Sequence, residues 1–311
     1  MSENTKIAYI FPGQGAQKVG MGKDLYDSSE AARSVFQEAD RVLGFSLSKL
    51  CFEGPEEELR LTKNAQPALV TMSIAAYQAA LQAVDKSQVA APTFVAGHSL
   101  GEYTALVLAG VLDFASVVYL ARERGRLMFE AGQKVPGAMA AIIGLDEAAV
   151  KAVGQETHTW LANINCSGQL VISGAKADID KAIEAAKASG AARALPLQVS
   201  GAFHSPLMEP AVEGLAAAMA NLKFKDAMIP VVANTSAAPL TSAKDIKNEL
   251  LEQLCNSVRW QQSVEYMIKN GTSVFMEIGS GNVLTGLVKR IDKTVKTINI
   301  GTLAELKNIV I

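Results

Sequence analysis

The sequence has little of what marks a metalloprotein, a disulfide-bonded secreted protein or a nucleic-acid-binding protein. Its only cysteines, Cys51, Cys166 and Cys255, are scattered and form no C-x-x-C pair, so we expect neither a zinc site nor a disulfide framework. The formal net charge is −2 over 311 residues, with no charged tail, which argues against nucleic acid as a partner. These absences favour a cytoplasmic protein that needs no metal.

The sequence also lacks a convincing membrane-spanning stretch. Its most apolar run, residues 67–84, is rich in alanine and is interrupted by Gln78 and Gln82, so it predicts a buried helix and no membrane partner. The first six residues show no signal-peptide pattern. Because 49% of the residues are hydrophobic and 19% are charged, we expect a sizeable core in one large domain, or in a large and a small one.

The stretch that organises the chain is Gly-His-Ser-Leu-Gly at 97–101. A short β-prone run precedes it and a helix-like run follows, which is the context of a nucleophile elbow. The flanking glycines let the strand and the helix approach closely. Ser99 would then be exposed on a strained turn, with the amide of Leu100 at a helix N-terminus where it can hold an oxyanion. The alternative is an ordinary tight turn.

Only three histidines are present, so the search for a general base is short. His98 adjoins Ser99 in the turn, where its side chain is expected to diverge from the hydroxyl. His158 falls in a polar turn. His204 lies in a loop of Gly, Ser and Pro and follows the serine in the chain, which is the order found in hydrolase-like folds. His204 is therefore the predicted base, and a structural histidine is the alternative.

A second glycine turn follows a predicted strand at Lys6–Phe11. Gly13 and Gly15 suggest a dinucleotide fingerprint, but Lys18 stands where a third small residue belongs, so the fingerprint fails. No Walker motif is present. Either this loop directs backbone amides at a reacting oxygen, with Gln14 as a donor, or it is a plain turn, and the local residues do not decide between these interpretations.

The predicted helix 114–131 carries an arginine on its apolar face. At about 100° per residue, Arg124 falls in the middle of the apolar stripe, while Arg122 and Arg126 fall on the opposite, solvated face. A buried guanidinium is costly unless an anion meets it. That anion is either an internal acid or a substrate carboxylate, which the planar guanidinium could bind through two hydrogen bonds.

A further helix is predicted to open at Asn64, with Pro67 in its first turn. Gln66, which precedes the proline, either points into a site or caps the helix.

Between residues 137 and 199 the predicted elements follow the order βαββαβ, which is typical of a ferredoxin-like unit. We therefore predict an α/β fold in two parts. A large hydrolase-like domain with a mostly parallel sheet comprises residues 1–131 and 200–311, and a small ferredoxin-like subdomain is inserted at 132–199. The crevice between the two is a natural ligand site.

Several segments together resemble the malonyl-CoA:acyl carrier protein transacylase family of bacterial fatty-acid synthesis. They occur in order over nearly the whole chain, at 11–17, 66–68, 97–103, Arg124, 163–165 with 169–174, 201–208 and 277–281. The resemblance implies ping-pong transfer of a malonyl group from malonyl-CoA to holo acyl carrier protein. It also implies a monomer that uses no metal or redox cofactor.

The resemblance further implies roles for individual residues in catalysis. Ser99 would be acylated, and His204 would act as general base and then as general acid. The main-chain carbonyl of Gln253 would orient the histidine, so replacing this side chain by alanine is expected to retain most activity. The amides of Gln14 and Leu100 would form the oxyanion hole.

Four more residues are implied to bind the substrate. Arg124 would hold the free malonyl carboxylate, and Gln66 would line the same pocket. Phe203 would disfavour an α-methyl branch, and Asn165 would lie near the CoA or carrier arm. Three other functions share part of this pattern: a serine esterase or thioesterase, a discrete acyltransferase of polyketide synthesis, and a non-catalytic binding module.

Overall fold

Two β-sheets organise the computed structural model, which describes residues 5–83 and 91–307. The described strands of sheet A lie in the spatial order Lys296–Ile300 (β10), Thr272–Ile278 (β9), Lys6–Phe11 (β1), Phe94–Gly97 (β2), Val231–Val232 (β7) and Pro239–Leu240 (β8). Those of sheet B lie in the order Trp160–Cys166 (β4), Gln169–Ala175 (β5), Gly137–Ile143 (β3) and Arg193–Pro196 (β6).

Helices connect and cover these strands. Those before sheet B are Lys23–Ser28 (α1), Glu30–Leu43 (α2), Leu47–Glu53 (α3), Glu56–Arg60 (α4), Thr62–Ala83 (α5), Leu100–Leu108 (α6) and Phe114–Lys134 (α7). Sheet B carries Glu147–Thr157 (α8) and Lys176–Ala188 (α9). A 3₁₀ helix at Pro206–Ala211 is followed by Val212–Met219 (α10), Ala243–Cys255 (α11), Trp260–Lys269 (α12), Val283–Ile291 (α13) and Leu303–Lys307 (α14).

Sheet A is the predicted mostly parallel sheet. Every neighbouring pair from β10 to β7 is parallel, and only the pair of β7 and β8 is antiparallel. Its central strands are mostly apolar and are buried along nearly their whole length, as strands covered on both faces must be. The sheet therefore forms the core of the molecule, and its loops stand at its ends.

Sheet B is antiparallel throughout and has the ferredoxin-like strand order, so the predicted fold class is confirmed. Side chains alternate between its two faces. Ala140 and Ile172 face a small core with α8 and α9, whereas Met139 and Val171 join the large core. The division of the chain at 132–199 stays a prediction.

Helices α5 and α7 pack against each other closely. A Cβ placed on Gly125 of α7 would lie 2.5 Å from the carbonyl oxygen of Thr62, so glycine is required at this contact. The apolar stripe predicted on α7 is buried here, and Arg124 is buried within it.

The prediction for the start of α5 was wrong, and so was the prediction that Arg122 is solvated. The helix begins at Thr62, so Pro67 is its sixth residue. A proline has no N–H to donate, which leaves the carbonyl of Lys63 without its partner in the helix. Arg122 supplies the missing donor through Nη1, 2.7 Å from that oxygen, and its guanidinium lies 5.0 Å from the centroid of the Phe45 ring.

Helices α11 and α12 are separated by a short break after Cys255. Between α11 and α12 the chain runs alongside β4: Val258 donates to the Ala162 carbonyl and accepts from the Ile164 amide, both at 2.8 Å. Within the apolar run at 229–233, only Val231–Val232 form a strand, β7. Within the described residues, no helix is both long and apolar enough to cross a membrane, and Val84, predicted in the apolar helix, lies outside those residues.

Candidate active site

Ser99 stands on a sharp turn between β2 and α6. Its backbone has φ 50° and ψ −105°, a combination that costs energy for any residue with a Cβ. The glycines around it allow the crowding: a Cβ on Gly97 would lie 1.8 Å from the carbonyl carbon of Gly101, and one on Gly101 would lie 2.0 Å from the Phe11 oxygen. This is the geometry of a nucleophile elbow, with the hydroxyl presented at the carboxyl edge of sheet A.

His204 lies against the serine. Its Nε2 is 2.8 Å from Ser99 Oγ, and its Nδ1 is 2.7 Å from the main-chain oxygen of Gln253. Because a carbonyl oxygen can only accept, Nδ1 carries the proton, and Nε2 is left to accept from the serine hydroxyl. His98 points elsewhere, as expected, with its Nε2 2.8 Å from Asn165 Oδ1.

Burial keeps His204 neutral. Loss of solvent lowers the pKa of its imidazole to about 3, and the positive charge of Arg124 contributes to the decrease, while the Gln253 carbonyl opposes it. Burial and the charge of Arg124 both disfavour the charged imidazolium. At neutral pH the ring is therefore in the form that can accept a proton.

Arg124 is buried, with 1% of its surface exposed. Its Nη1 donates to Gln66 Oε1 at 2.9 Å, and its Nη2 donates to Gln253 Oε1 at 2.8 Å and to Ser99 Oγ at 3.1 Å. Its Nε has no hydrogen-bond partner in the described part of the chain, and no carboxylate there forms an ion pair with it. The site thus presents a buried guanidinium that forms no ion pair with a described carboxylate. Burial lowers the pKa of this guanidinium, although the charge of Glu102 opposes the decrease.

Two backbone amides flank the serine. Leu100 opens α6, so its N–H has no acceptor within the helix. Gln14 lies in the turn after β1, and its side chain donates to Thr62 Oγ1 at 3.2 Å. The turn packs against the elbow so tightly that a Cβ on Gly13 would lie 2.4 Å from the His98 oxygen. The turn that carries Gln14 and the elbow that carries Leu100 are therefore in direct contact.

A cavity of about 290 Å³ opens over these groups between the two sheets. Sheet A and its helices supply Gln14, Ser99 and Arg124, whereas sheet B supplies Asn165. The predicted site residues that line the cavity are Gln14, Gln66, Ser99, Arg124, Asn165, Phe203 and His204. Gln253 lies behind them, fully buried.

Two contributions were missed by sequence reasoning. The Gln253 side chain bonds Arg124 and also donates to the main-chain oxygen of Ser99 at 3.1 Å, whereas only its carbonyl was expected to act. Asn234 bonds the elbow at the Ser99 amide and at the Gly97 carbonyl. The sequence offers one signal for Asn234, its position directly after the short apolar run at 229–233, since functional residues gather at the carboxyl ends of parallel strands.

A serine and histidine pair beside a buried arginine, on a hydrolase-like scaffold, fits the class of acyl transferases. The family model of the acyl transferase domain matches residues 8–306, so the chain is an acyltransferase.

Relatives with high sequence identity narrow the class of acyltransferase. The malonyl CoA-acyl carrier protein transacylase of Bacillus subtilis is 50% identical over 94% of this chain and 93% of its own length. That of Escherichia coli K12 is 46% identical over 93% and 94%. This chain belongs to the malonyl CoA-acyl carrier protein transacylase family.

Solved structures agree with this assignment. An acyl-carrier-protein-S-malonyltransferase from Bartonella henselae has a TM-score of 0.92 at 41% identity, covering 97% of this chain and 98% of its own. A malonyl-transacylase solved with its type II polyketide acyl carrier protein has a TM-score of 0.93 at 41% identity, with the same coverage.

Proposed function

We propose that this enzyme transfers the malonyl group of malonyl-CoA to the phosphopantetheine thiol of holo acyl carrier protein. The transfer passes through malonyl-Ser99 and supplies extender units for fatty-acid synthesis in the cytoplasm. The names of its close relatives support the substrate and the acceptor, and the solved complex of one relative with its carrier supports the partner.

The observation that carries this proposal is the position of Arg124 beside the nucleophile. Its Nη2 is 3.1 Å from Ser99 Oγ, and it forms no ion pair among the described residues. The carboxylate of a malonyl group is separated from the reacting carbonyl by a single methylene, so it must lie within a few ångströms of the serine. A simple ester or an acetyl group has no anion for this guanidinium, and burying the charge without one is costly.

In the first half-reaction, Ser99 Oγ attacks the thioester carbonyl of malonyl-CoA while His204 Nε2 takes its proton. The amides of Gln14 and Leu100 hold the oxyanion. The carbon–sulfur bond then breaks, and His204 returns the proton to the CoA sulfur. The products are malonyl-Ser99 and CoA.

The second half-reaction runs the same steps in reverse with the carrier thiol. His204 takes the thiol proton, the sulfur attacks the ester carbonyl of malonyl-Ser99, and the carbon–oxygen bond breaks. The proton passes to Ser99 Oγ, which restores the free enzyme. A carbonyl behind the histidine stabilises the imidazolium less than a carboxylate would. In the first half-reaction this suffices because a thiolate leaves with little help from a proton, whereas in the second the departing Ser99 oxygen takes its proton from His204.

Three side chains shape the acyl and arm sites. Gln66 accepts from Arg124 Nη1 and so fixes the plane of the guanidinium. Phe203, which is buried and lines the cavity, narrows the space beside the malonyl methylene and disfavours an α-methyl branch. Asn165 lies on the sheet B wall of the cavity, where we place the CoA or carrier arm.

The enzyme is proposed to act as a monomer. The mechanism proposed above requires no residue from a second copy of the chain. The proposed inserted subdomain, 132–199, forms one wall of that cavity.

Intact mass measurement after incubation with malonyl-CoA alone tests the proposal. A covalent malonyl adduct is expected on the native chain and none on Ser99→Ala. Transfer to holo acyl carrier protein and hydrolysis of malonyl-CoA are then measured in parallel. An adduct on a cysteine would overturn the nucleophile assignment, and hydrolysis that outpaces transfer would instead support an esterase or thioesterase.

A further inference from the structure

We infer that Asn234 is a positioning residue that holds the nucleophile elbow in its strained conformation, an inference that rests on the proposed function of Ser99. Asn234 follows β7, the strand next to β2 in sheet A, and it is 1% exposed. It lies 135 residues from Ser99 in the chain, so only the fold brings the two together.

The side-chain amide of Asn234 spans the turn. Its Oδ1 accepts from the Ser99 amide at 2.7 Å, and its Nδ2 donates to the Gly97 carbonyl at 2.7 Å. One rigid group therefore fixes both the end of the strand and the backbone of the nucleophile. The Ser99 backbone conformation is unfavourable by itself, so it persists only where surrounding contacts enforce it, and the bond from the Ser99 amide to Asn234 is one of these contacts.

Asn234 also reaches the helix that follows the elbow. Its main-chain N–H donates to Glu102 Oε2 at 2.9 Å, in the first turn of α6. The next residue, Thr235, is held by Glu249, whose Oε1 accepts from the Thr235 amide at 2.8 Å and whose Oε2 accepts from the Thr235 hydroxyl. The loop that carries Asn234 is thus fixed to α6 on one side and to α11 on the other.

Helix α11 connects this loop to the rest of the site. Glu249 and Gln253 are four residues apart on it and so share one face. Glu249 holds the loop of Asn234, while Gln253 contacts His204, Arg124 and the Ser99 carbonyl. Ser99 therefore has its amide bonded by Asn234 and its carbonyl bonded by Gln253. The orientation of its hydroxyl toward His204 depends on both.

Asparagine is the residue type that this position requires. The turn offers a donor at Ser99 and an acceptor at Gly97, and a carboxamide supplies the complement of both. Aspartate keeps the acceptor but loses the donor when ionised, and it would add a charge near Glu102 and Glu249, whose pKa values are already raised, primarily by burial. Leucine or alanine would leave both backbone groups unpaired.

The experiment measures the first half-reaction by rapid mixing with malonyl-CoA and no acceptor, with release of CoA as the signal. The amplitude counts competent sites, and the rate constant reports positioning. For Asn234→Ala we expect an amplitude near that of the native enzyme and a rate constant about 100-fold lower, since a displacement of about 1 Å has that effect. The Kd of malonyl-CoA, measured in a Ser99→Ala background, should change little because Arg124 is untouched.

Asn234→Asp keeps the inference testable if the alanine variant does not fold. Its rate relative to the native enzyme should rise as the pH falls, because a protonated carboxyl again donates to Gly97 while its other oxygen accepts from Ser99. A purely structural role predicts a ratio that does not vary with pH, and that result would overturn the inference.

Asn299→Ala is the matched control. The side-chain amide of the native Asn299 accepts from Thr285 and donates to Glu277. These contacts lie at β9 and β10, on the other side of sheet A from Asn234. The Asn299→Ala variant should have lower thermal stability but an unchanged acylation rate constant.

Acylation rates within about threefold of native in both Asn234 variants would also overturn the inference. A native enzyme that forms no malonyl-Ser99 would instead overturn the proposed function, so the two failures are distinguishable.

Discussion

Sheet A and sheet B face the same cavity but contribute different things to it. The parallel strands of sheet A all end at one edge, so the loops after β1, β2 and β7 bring Gln14, Ser99 and Asn234 together. The strands of sheet B are antiparallel, so their ends are divided between two edges. Sheet B supplies wall residues such as Asn165 and Val171, and among the described residues none of its side chains bonds Ser99.

This difference explains how one enzyme can combine fixed chemistry with a separate surface for the bulk of its substrates. In a parallel sheet, the loops after the strands bring reactive groups together at the carboxyl edge. In an antiparallel sheet, the side chains of one face can form a wall against which a substrate lies. If the division is correct, changes on the sheet A side should alter the chemical step and acyl selectivity. Changes on sheet B should alter the binding of the CoA or carrier arm.

Of the substitutions that test this division, Arg124→Ala, on the sheet A side of the cavity, should have the largest effect on malonyl transfer. Losing one partner of a buried charge pair costs about 2–5 kcal/mol, roughly 30- to 4,000-fold in the specificity constant. Malonyl transfer should fall by this amount, while acetyl transfer is kept or increases. Arg126→Ala is the matched control, since Arg126 lies on the same helix but is paired at the surface with Glu123 and Glu130. Equal losses for malonyl and acetyl groups would make Arg124 structural.

The same variant should change the pH profile. Because burial and Arg124 lower the pKa of His204 to about 3, the native enzyme should keep its base deprotonated well below the ordinary histidine range. Activity should then be lost only as the pH falls toward that pKa. Removing the guanidinium charge raises the pKa, so the acid limb of kcat/KM for acetyl-CoA should move to higher pH. An acid limb that stays in place would show that Arg124 does not act on His204.

Gln253→Ala should have an intermediate effect. The main-chain carbonyl that accepts from His204 is retained, but Arg124 Nη2 and the Ser99 carbonyl each lose a partner. A buried unpaired group costs about 1–3 kcal/mol, roughly 5- to 150-fold. Steady-state kinetics with malonyl-CoA and holo carrier measure the loss of activity. This loss should exceed the small one expected from the sequence alone. Near-native activity would show that only the carbonyl matters.

Asn165→Ala should have the smallest effect and should fall on KM. Asn165 bonds His98 at 2.8 Å and lines the wall of the cavity, so its loss removes about one neutral hydrogen bond, roughly 2- to 12-fold. We expect a higher KM for malonyl-CoA or for the carrier with kcat nearly unchanged. A fall in kcat with KM unchanged would place this sheet B residue in the chemical step and would break the comparison.

Local patterns in the sequence were sufficient to predict the elbow and both sheets. The Gly-x-Ser-x-Gly spacing sets the turn by itself, and the apolar runs of β1, β2 and β9 predict buried parallel strands. The alternation of strands and helices from 137 onward predicts sheet B. These features depend on near neighbours in the chain, so the residues alone determine them.

What could not be predicted depends on contacts between distant segments. Gln253 meets Ser99 across 154 residues, and Asn234 meets it across 135; neither residue has a local pattern that points to the elbow. Arg122 was expected on a solvated face because the period of its helix places it there. The structure places it against α5, since a helix packed on two sides has no single exposed face.

The proline within α5 has a consequence for which acyl group the enzyme accepts. Because Pro67 leaves the Lys63 carbonyl free, Arg122 anchors α7 to that point. Together with the close packing of Gly125 against Thr62, this bond opposes sliding of α7 along α5. Arg124 follows two residues later on the same helix, so the direction in which its guanidinium enters the cavity is set by this anchor. If Arg124 binds the malonyl carboxylate as proposed, selectivity for this acyl group is partly a property of helix register, to which Arg122 contributes without lining the cavity.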